Sequence, residues 1–241
     1  MFHVKHRSMM SFSQYLPNEF PITEDQIALL DRHLAYVLKA NEKVRLTAIK
    51  SLEDGERLHV ADSLCGLPEV LDAPSGRLLD MGTGGGYPGI PLGLLSGRQT
   101  VLLDAATKKC RMLDIYLESE PVLYDYSTSD LRAEELAVHE GKRYAVVTAR
   151  ALSALPSLVE LASPLLRLGG RLVAFKGVLS DEEIVSGDSV AAYTGMRRVS
   201  VRRYTLLGGN EQRAIVVYEK FAESKTKLPR RPGMAQKKPF A

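Results

Sequence analysis

Residues 77–91 read Arg-Leu-Leu-Asp-Met-Gly-Thr-Gly-Gly-Gly-Tyr-Pro-Gly-Ile-Pro, and this stretch narrows the choice of fold more than any other. An apolar run, Leu78-Leu79, ends in the acid Asp80 and passes directly into a glycine turn. Pro88 and Pro91 mark where a helix begins, because proline is tolerated only in the first helical turn. A second apolar run, Val101-Leu102-Leu103, ends in Asp104 roughly 20 residues further on, the interval at which a nucleotide-binding α/β unit places its ribose-binding carboxylate. Glycines at Gly82, Gly84 and Gly86 let the backbone approach a ligand, and the helix start offers free N–H groups.

The same alternation continues downstream. Strands are predicted at 77–81, 99–104, 122–126, 144–149, 171–176, 197–206 and 213–219, with helices between the first five and after the fifth. The last two face each other across Gly208-Gly209-Asn210, which implies an antiparallel hairpin. Five parallel strands plus that hairpin make an open, seven-stranded mixed sheet with helices on both faces. Upstream, Ile27, Leu30, Leu34, Val37 and Leu38 recur at helical spacing after a Thr23 cap, and a second helix starts at Ser51 with Leu58, Ala61, Leu64 and Leu67 on one face. The organisation is therefore a leader (1–10), a helical extension (11–75), a Rossmann-like domain (76–222) and a basic tail (223–241).

Charge is unevenly spread. The chain carries a net +3, yet from Ser224 onward there are six cations and no acid, so the preceding residues net −3. Prolines and Gly233 break up the tail, which predicts a flexible segment, either solubilising or neutralising phosphates of a docked nucleic acid. The two cysteines, Cys65 and Cys110, form no metal-spaced cluster and fit a reducing cytoplasm. No apolar stretch approaches the roughly 20 residues of a membrane span, and no metal is implied. The first six residues, Met-Phe-His-Val-Lys-His, are encodable by ATGTTTCACGTGAAACAT, which is its own reverse complement. That reads as a translated DNA element resembling the centromere-like sites of bacterial chromosome-partitioning proteins, with folding sequence starting near Met9 or Met10.

The glycine loop admits two ligands. Gly84-x-Gly86-x-x-Gly89 matches the dinucleotide fingerprint, whereas Asp80 followed by Gly82-x-Gly84-x-Gly86 matches an S-adenosylmethionine loop. An acid at the first strand tip repels a pyrophosphate and suits a ligand carrying an ammonium and a sulfonium, so Asp80 favours the methyl donor. Asp104 then accepts from the ribose hydroxyls, and Ala133-Glu134, after the third strand, grips the adenine edge; a solvated acidic helix start is the alternative account of Glu134. A nicotinamide-dependent oxidoreductase and a non-catalytic donor-binding RNA chaperone stay open beside a methyltransferase.

The acceptor follows in part by elimination. Exocyclic amino methylation in this fold class relies on an Asn/Asp-Pro-Pro-aromatic loop, and here Thr148-Ala149-Arg150-Ala151 stands in its place. Pyrimidine C5 methylation needs a cysteine nucleophile, usually after proline, and neither cysteine follows one. A purine ring nitrogen or a small-molecule acceptor remains. Guanine N7 carries no proton to lose, so positioning in a water-poor pocket suffices. Arg150, just beyond the fourth strand, is the candidate to hold guanine through O6, or to pair with a pocket carboxylate; the two roles are compatible.

Taken together, Asp80-Met-Gly-Thr-Gly-Gly-Gly-Tyr-Pro-Gly-Ile-Pro-Leu92, Leu103-Asp-Ala-Ala-Thr-Lys-Lys-Cys-Arg111, Thr148-Ala-Arg-Ala151, Phe175-Lys-Gly177, Leu46-Thr-Ala-Ile49 and His59-Val-Ala-Asp-Ser-Leu64 resemble the bacterial small-subunit ribosomal RNA methyltransferase G family, also known as glucose-inhibited division protein B. The resemblance implies a class I S-adenosylmethionine-dependent methyltransferase that acts, as a cytoplasmic monomer, on guanine N7 in the decoding region of 16S ribosomal RNA. By position it assigns donor-site roles to Gly82, Tyr87, Ala133, Glu134 and Arg150. Lys108, Lys109, Arg111 and Lys176 sit near the strand tips; each alone reads as a solvated surface charge, and as a group with Arg230 and Arg231 of the tail they are candidate RNA contacts. Asn41, His59 and Asp62 are candidates for shaping the target pocket, with a capped, packed helix carrying a His–Asp pair at i, i+3 as the alternative account. Two departures, Arg45 where the family usually has Asn and Leu58 where it usually has Arg, fall in the helical layer expected to meet RNA.

Overall fold

The computed structural model describes residues 12–17 and 19–240, so the leader reading lies outside the described residues. Seven strands form one sheet: β1 (Leu78–Met81), β2 (Thr100–Leu103), β3 (Tyr126–Ser129), β4 (Tyr144–Arg150), β5 (Leu166–Lys176), β6 (Met196–Thr205) and β7 (Gln212–Lys220). Their order is β3-β2-β1-β4-β5-β7-β6. The first five run parallel, while β7 lies antiparallel between β5 and β6.

The helices are α1 (Glu24–Ala40), α2 (Leu52–Gly55), α3 (Asp62–Leu64), α4 (Leu67–Leu71), α5 (Gly89–Ser96), α6 (Thr107–Ser119), α7 (Ala133–Glu140), α8 (Leu155–Ala162), α9 (Asp181–Thr194) and a final turn, α10 (Met234–Lys237). Side-chain alternation along β1 puts Leu79 and Met81 into a core shared with α7, α8 and α9, and Leu78 into the opposite core with α4. Both faces are covered, and that is why β1 and β2 carry adjacent apolar residues, Leu78-Leu79 and Val101-Leu102-Leu103, in place of strict alternation. Among the described residues no helix is long and apolar enough to cross a membrane.

Two helical starts follow from their caps. Thr23 and Gln26 form a reciprocal capping box at α1. The Ser51 hydroxyl accepts the Asp54 N–H at α2, and the helix continues through a wide π turn, Glu56–Ala61, into α3. Such turns recur at functional sites, and this one carries His59.

The structure departs from expectation in three segments. β5 starts at Leu166, ahead of the expected 171, and pairs there with Tyr144 across a register shift. β3 begins at Tyr126, because Pro121–Leu123 forms a short 3-10 turn with Leu123 buried. The C-terminal segment, expected to be a flexible tail, is packed against the domain. Arg230 forms a two-pronged ion pair with Glu160 of α8 at 2.6 and 2.5 Å, and Ala235 is buried in the core beside α8.

Candidate active site

Two cavities open at the carboxyl edge of the sheet, next to the β1–β4 pairing where strand order reverses direction, the usual ligand position in doubly wound sheets. The first encloses about 270 Å³ and is lined by Met81 and Gly82 after β1, Leu103, Asp104 and Ala105 after β2, and Lys109. Leu131, Arg132, Ala133 and Glu134 after β3, Ala151 and Leu152 after β4, Leu161, and Gln236 of α10 complete the wall. Gly82 has φ +78°, and a Cβ there would come within 2.8 Å of Leu152. Gly84 also adopts positive φ and donates its N–H to Asp104 Oδ2 at 3.0 Å. Asp104 further accepts from Lys109 Nζ at 3.2 Å and from the Ala106 N–H at 3.0 Å. Its carboxylate thus sits on the rim, fixed at both oxygens.

Asp80 is placed differently from the sequence reading. It lies on the Leu78 face of β1, fully buried beneath α5, and lines neither cavity. Oδ2 accepts the Gly89 N–H at 2.9 Å and Oδ1 accepts the Thr148 hydroxyl at 2.7 Å. Burial raises its pKa, against the bonds from Thr148 and Gly89. Through these bonds Asp80 ties the glycine turn to α5 and β4. Gly86 packs against Ile90 and His33. Tyr87, also outside both cavities, is buried with its ring stacked on His59 at 4.6 Å and 5°, and its hydroxyl has no partner among the described residues.

The second cavity, about 360 Å³, lies between the helical layer and the sheet and is lined by Ile49, Leu58, His59, Asp62, Arg150, Ala151, Phe175, Lys176, Gly177 and Arg213. Ala151 belongs to both cavities and holds φ +52°, a left-handed conformation rare for a residue with a Cβ. Arg150 Nη1 donates to the carbonyls of Leu58 and His59 at 3.2 and 3.4 Å and to Asp62 Oδ2 at 3.1 Å. Because a backbone carbonyl does this work at Leu58, the departure from Arg leaves the hold on Arg150 intact.

Arg150 Nη2 lies 3.2 Å from His59 Nδ1. A guanidinium only donates, so Nδ1 accepts, and Nε2 carries the proton to Thr47 Oγ1 at 2.6 Å. Burial first, then the Arg150 charge, pushes the His59 pKa down to about 3. The ring is neutral. Asn41 Oδ1 accepts the N–H groups of Leu46 and Thr47, holding the loop that presents Thr47.

Sequence reading missed the far side of this site. Arg213 Nε approaches Asp62 Oδ1 at 3.3 Å, and the Tyr204 hydroxyl donates to the same oxygen at 3.3 Å. Both come from the β6–β7 hairpin, and only the strand order brings them to α3. Of the candidate RNA contacts, Lys108, Arg111 and Arg231 are exposed. Lys109 is paired with Asp104, Lys176 with Glu183 at 2.8 Å, and Arg230 with Glu160.

The family model described as GidB, rRNA small subunit methyltransferase G, matches residues 26–216. The chain belongs to that family. Over 223 residues it is 39% identical to the ribosomal RNA small subunit methyltransferase G of Deinococcus radiodurans, covering 90% of this chain and 85% of the relative. Over 247 residues it is 35% identical to the protein of that name from Rubrobacter xylanophilus, covering 99% and 94%. Two solved structures share the fold alone. A geranyl diphosphate C-methyltransferase from Streptomyces coelicolor, in complex with S-adenosyl-L-homocysteine, matches with TM-score 0.51 at 12% identity over 64% of this chain and 76% of its own. A transferase described as putative, from Pyrococcus horikoshii, matches with TM-score 0.54 at 9% identity over 67% and 64%.

As a member of the methyltransferase G family the chain is an S-adenosylmethionine-dependent ribosomal RNA methyltransferase, and the nicotinamide alternative is set aside. The first cavity fits the donor chemically. It offers the Asp104 carboxylate for a ribose diol, an apolar slot between Leu131, Leu152 and Leu161 for a flat base, and a glycine where a Cβ would collide with the opposite wall.

Proposed function

We propose that this chain methylates N7 of a single guanine in the decoding region of 16S ribosomal RNA, with the first cavity holding the donor and the second receiving the base. The observation that carries the reading is Ala151, which lines both cavities. The protonation chemistry of the second cavity supports N7. His59 is neutral with both ring nitrogens engaged, and Asp62 is occupied by Arg150, Arg213 and Tyr204. No free base faces the acceptor, and N7 needs none, since attack on a sulfonium methyl is an in-line displacement governed by positioning. Burial pushes the thiols of Cys65 and Cys110 up to about 11, which disfavours the thiolate that pyrimidine C5 chemistry requires. Arg150, with donors beyond those used in its fixed contacts, is the group to engage guanine O6, and the guanine leaves its stack to enter.

The test is transfer of labelled methyl to naked 16S RNA, to small subunits and to a free guanine nucleoside, followed by mapping of the product. Label at N7 of one guanine, with the nucleoside unlabelled, is the expected result. Label at an exocyclic amine or a pyrimidine carbon would overturn it.

A further inference from the structure

The donor cavity takes one lining residue, Gln236, from the C-terminal segment. Arg230 is clamped on Glu160, which is 2% exposed, donates to the Lys238 carbonyl at 2.7 Å, and lies 3.9 Å from the Phe240 ring centroid. That grip fixes the segment against α8. Gly233 then takes φ +80° and points its N–H at Glu134 Oε1, 2.7 Å away. Glu134 is 8% exposed, and its second oxygen accepts no hydrogen bond among the described residues. One helical turn on, Gln236 lines the cavity beside Ala133 and Glu134, and its carboxamide has no hydrogen-bond partner among the described residues.

We propose that this C-terminal strap is the base-reading wall of the donor cavity, with Gln236 contacting adenine and Gly233 positioning Glu134. A carboxamide offers one donor and one acceptor side by side, the complement of adenine's exocyclic amine and the adjacent ring nitrogen. Glu134, held at one oxygen by the strap, presents the other as a second acceptor for the amine. Hypoxanthine, which carries an oxygen where adenine carries that amine, sets an acceptor against Glu134 and is disfavoured. The Arg230 charge is neutralised by Glu160, so this part of the strap serves the donor and not RNA phosphates. The strap's role rests on the donor assignment and is independent of which RNA atom is methylated.

The experiment is calorimetric titration, without RNA, of S-adenosylhomocysteine and S-inosylhomocysteine into the wild-type chain and into Gln236→Ala and Gly233→Pro. Wild type prefers the adenosyl ligand, and each variant weakens its binding about tenfold while narrowing the preference. That ratio is a quantity that a general loss of stability does not shift, and melting temperatures taken in parallel show each variant folded. Gln236→Ala with wild-type affinity and wild-type preference would overturn the strap's role and leave the donor site standing. A wild-type chain that binds neither ligand would remove the donor assignment and the strap with it.

Discussion

Arg150 is immobilised by four groups of the helical layer, and its value lies in that fixed direction. Arg150→Ala lowers kcat/KM on small subunits on the order of 100-fold, the scale of a misplaced reactant; turnover close to wild type in a methyl-transfer assay would refute its assigned role. Arg150→Lys does not restore it, because an ammonium has no planar fork to span Asp62, two carbonyls and His59. His33 makes a different kind of prediction. Its Nε2–H donates to the Gly85 carbonyl at 2.9 Å, leaving Nδ1 a buried acceptor without a partner among the described residues, and burial holds its pKa at about 3 against an ordinary 6.5. The unfolded chain therefore binds this proton first as pH drops. Stability is full above 6.5 and is lost as pH falls from there toward 3. Replacing His33 with Gln, which keeps a donor for Gly85, removes about 1.4 kcal/mol per pH unit of slope between pH 4 and 6. Urea melts across that range check it, and parallel slopes for the two proteins would rule it out.

The glycine turn works because its neighbours leave no room for anything larger. A Cβ on Gly89 would come within 2.6 Å of both Asp80 and Leu102, beside the N–H that Asp80 accepts. Gly89→Ala is expected to destabilise by about 1–3 kcal/mol, read from denaturant midpoints; an unshifted midpoint would show that the turn relaxes freely. This element was legible because apolar runs, an acid, glycines and prolines each carry local physical meaning, and the hairpin was legible from its turn. β3 was not, since Tyr-Ser-Thr-Ser at an edge lacks the apolar signature of a covered strand. The strap was illegible for a related reason: its proline-rich basic composition matches a disordered segment, and its anchors Glu160 and Glu134 lie far away in sequence. For Asp80 the sequence carries the acid at the strand tip, but not which face of β1 it takes; strand alternation sets it beneath α5, bonded to Gly89 and Thr148.

For the protein docking on a polyanion, the structure separates free cations from engaged ones. Lys108 and Arg111 are exposed on α6, the helix that carries the cavity residue Lys109, whereas Arg230 is neutralised inside the domain. Substituting Lys108 and Arg111 with Ala therefore flattens the dependence of log affinity on log salt by about 0.9 for each phosphate no longer neutralised. Arg230→Met leaves that slope unchanged and lowers the melting temperature, because it strips Glu160 of its buried partner. Filter-binding titrations over a salt series distinguish the two, and a flattened slope for Arg230→Met would return the strap to the RNA. The partition at Ala151 has its own outcome. On the proposed reading of one cavity for each reactant, the two share a residue with the smallest side chain short of glycine, held at φ +52°. A longer group at that shared position adds bulk where the two rooms adjoin, so a single substitution there bears on both at once.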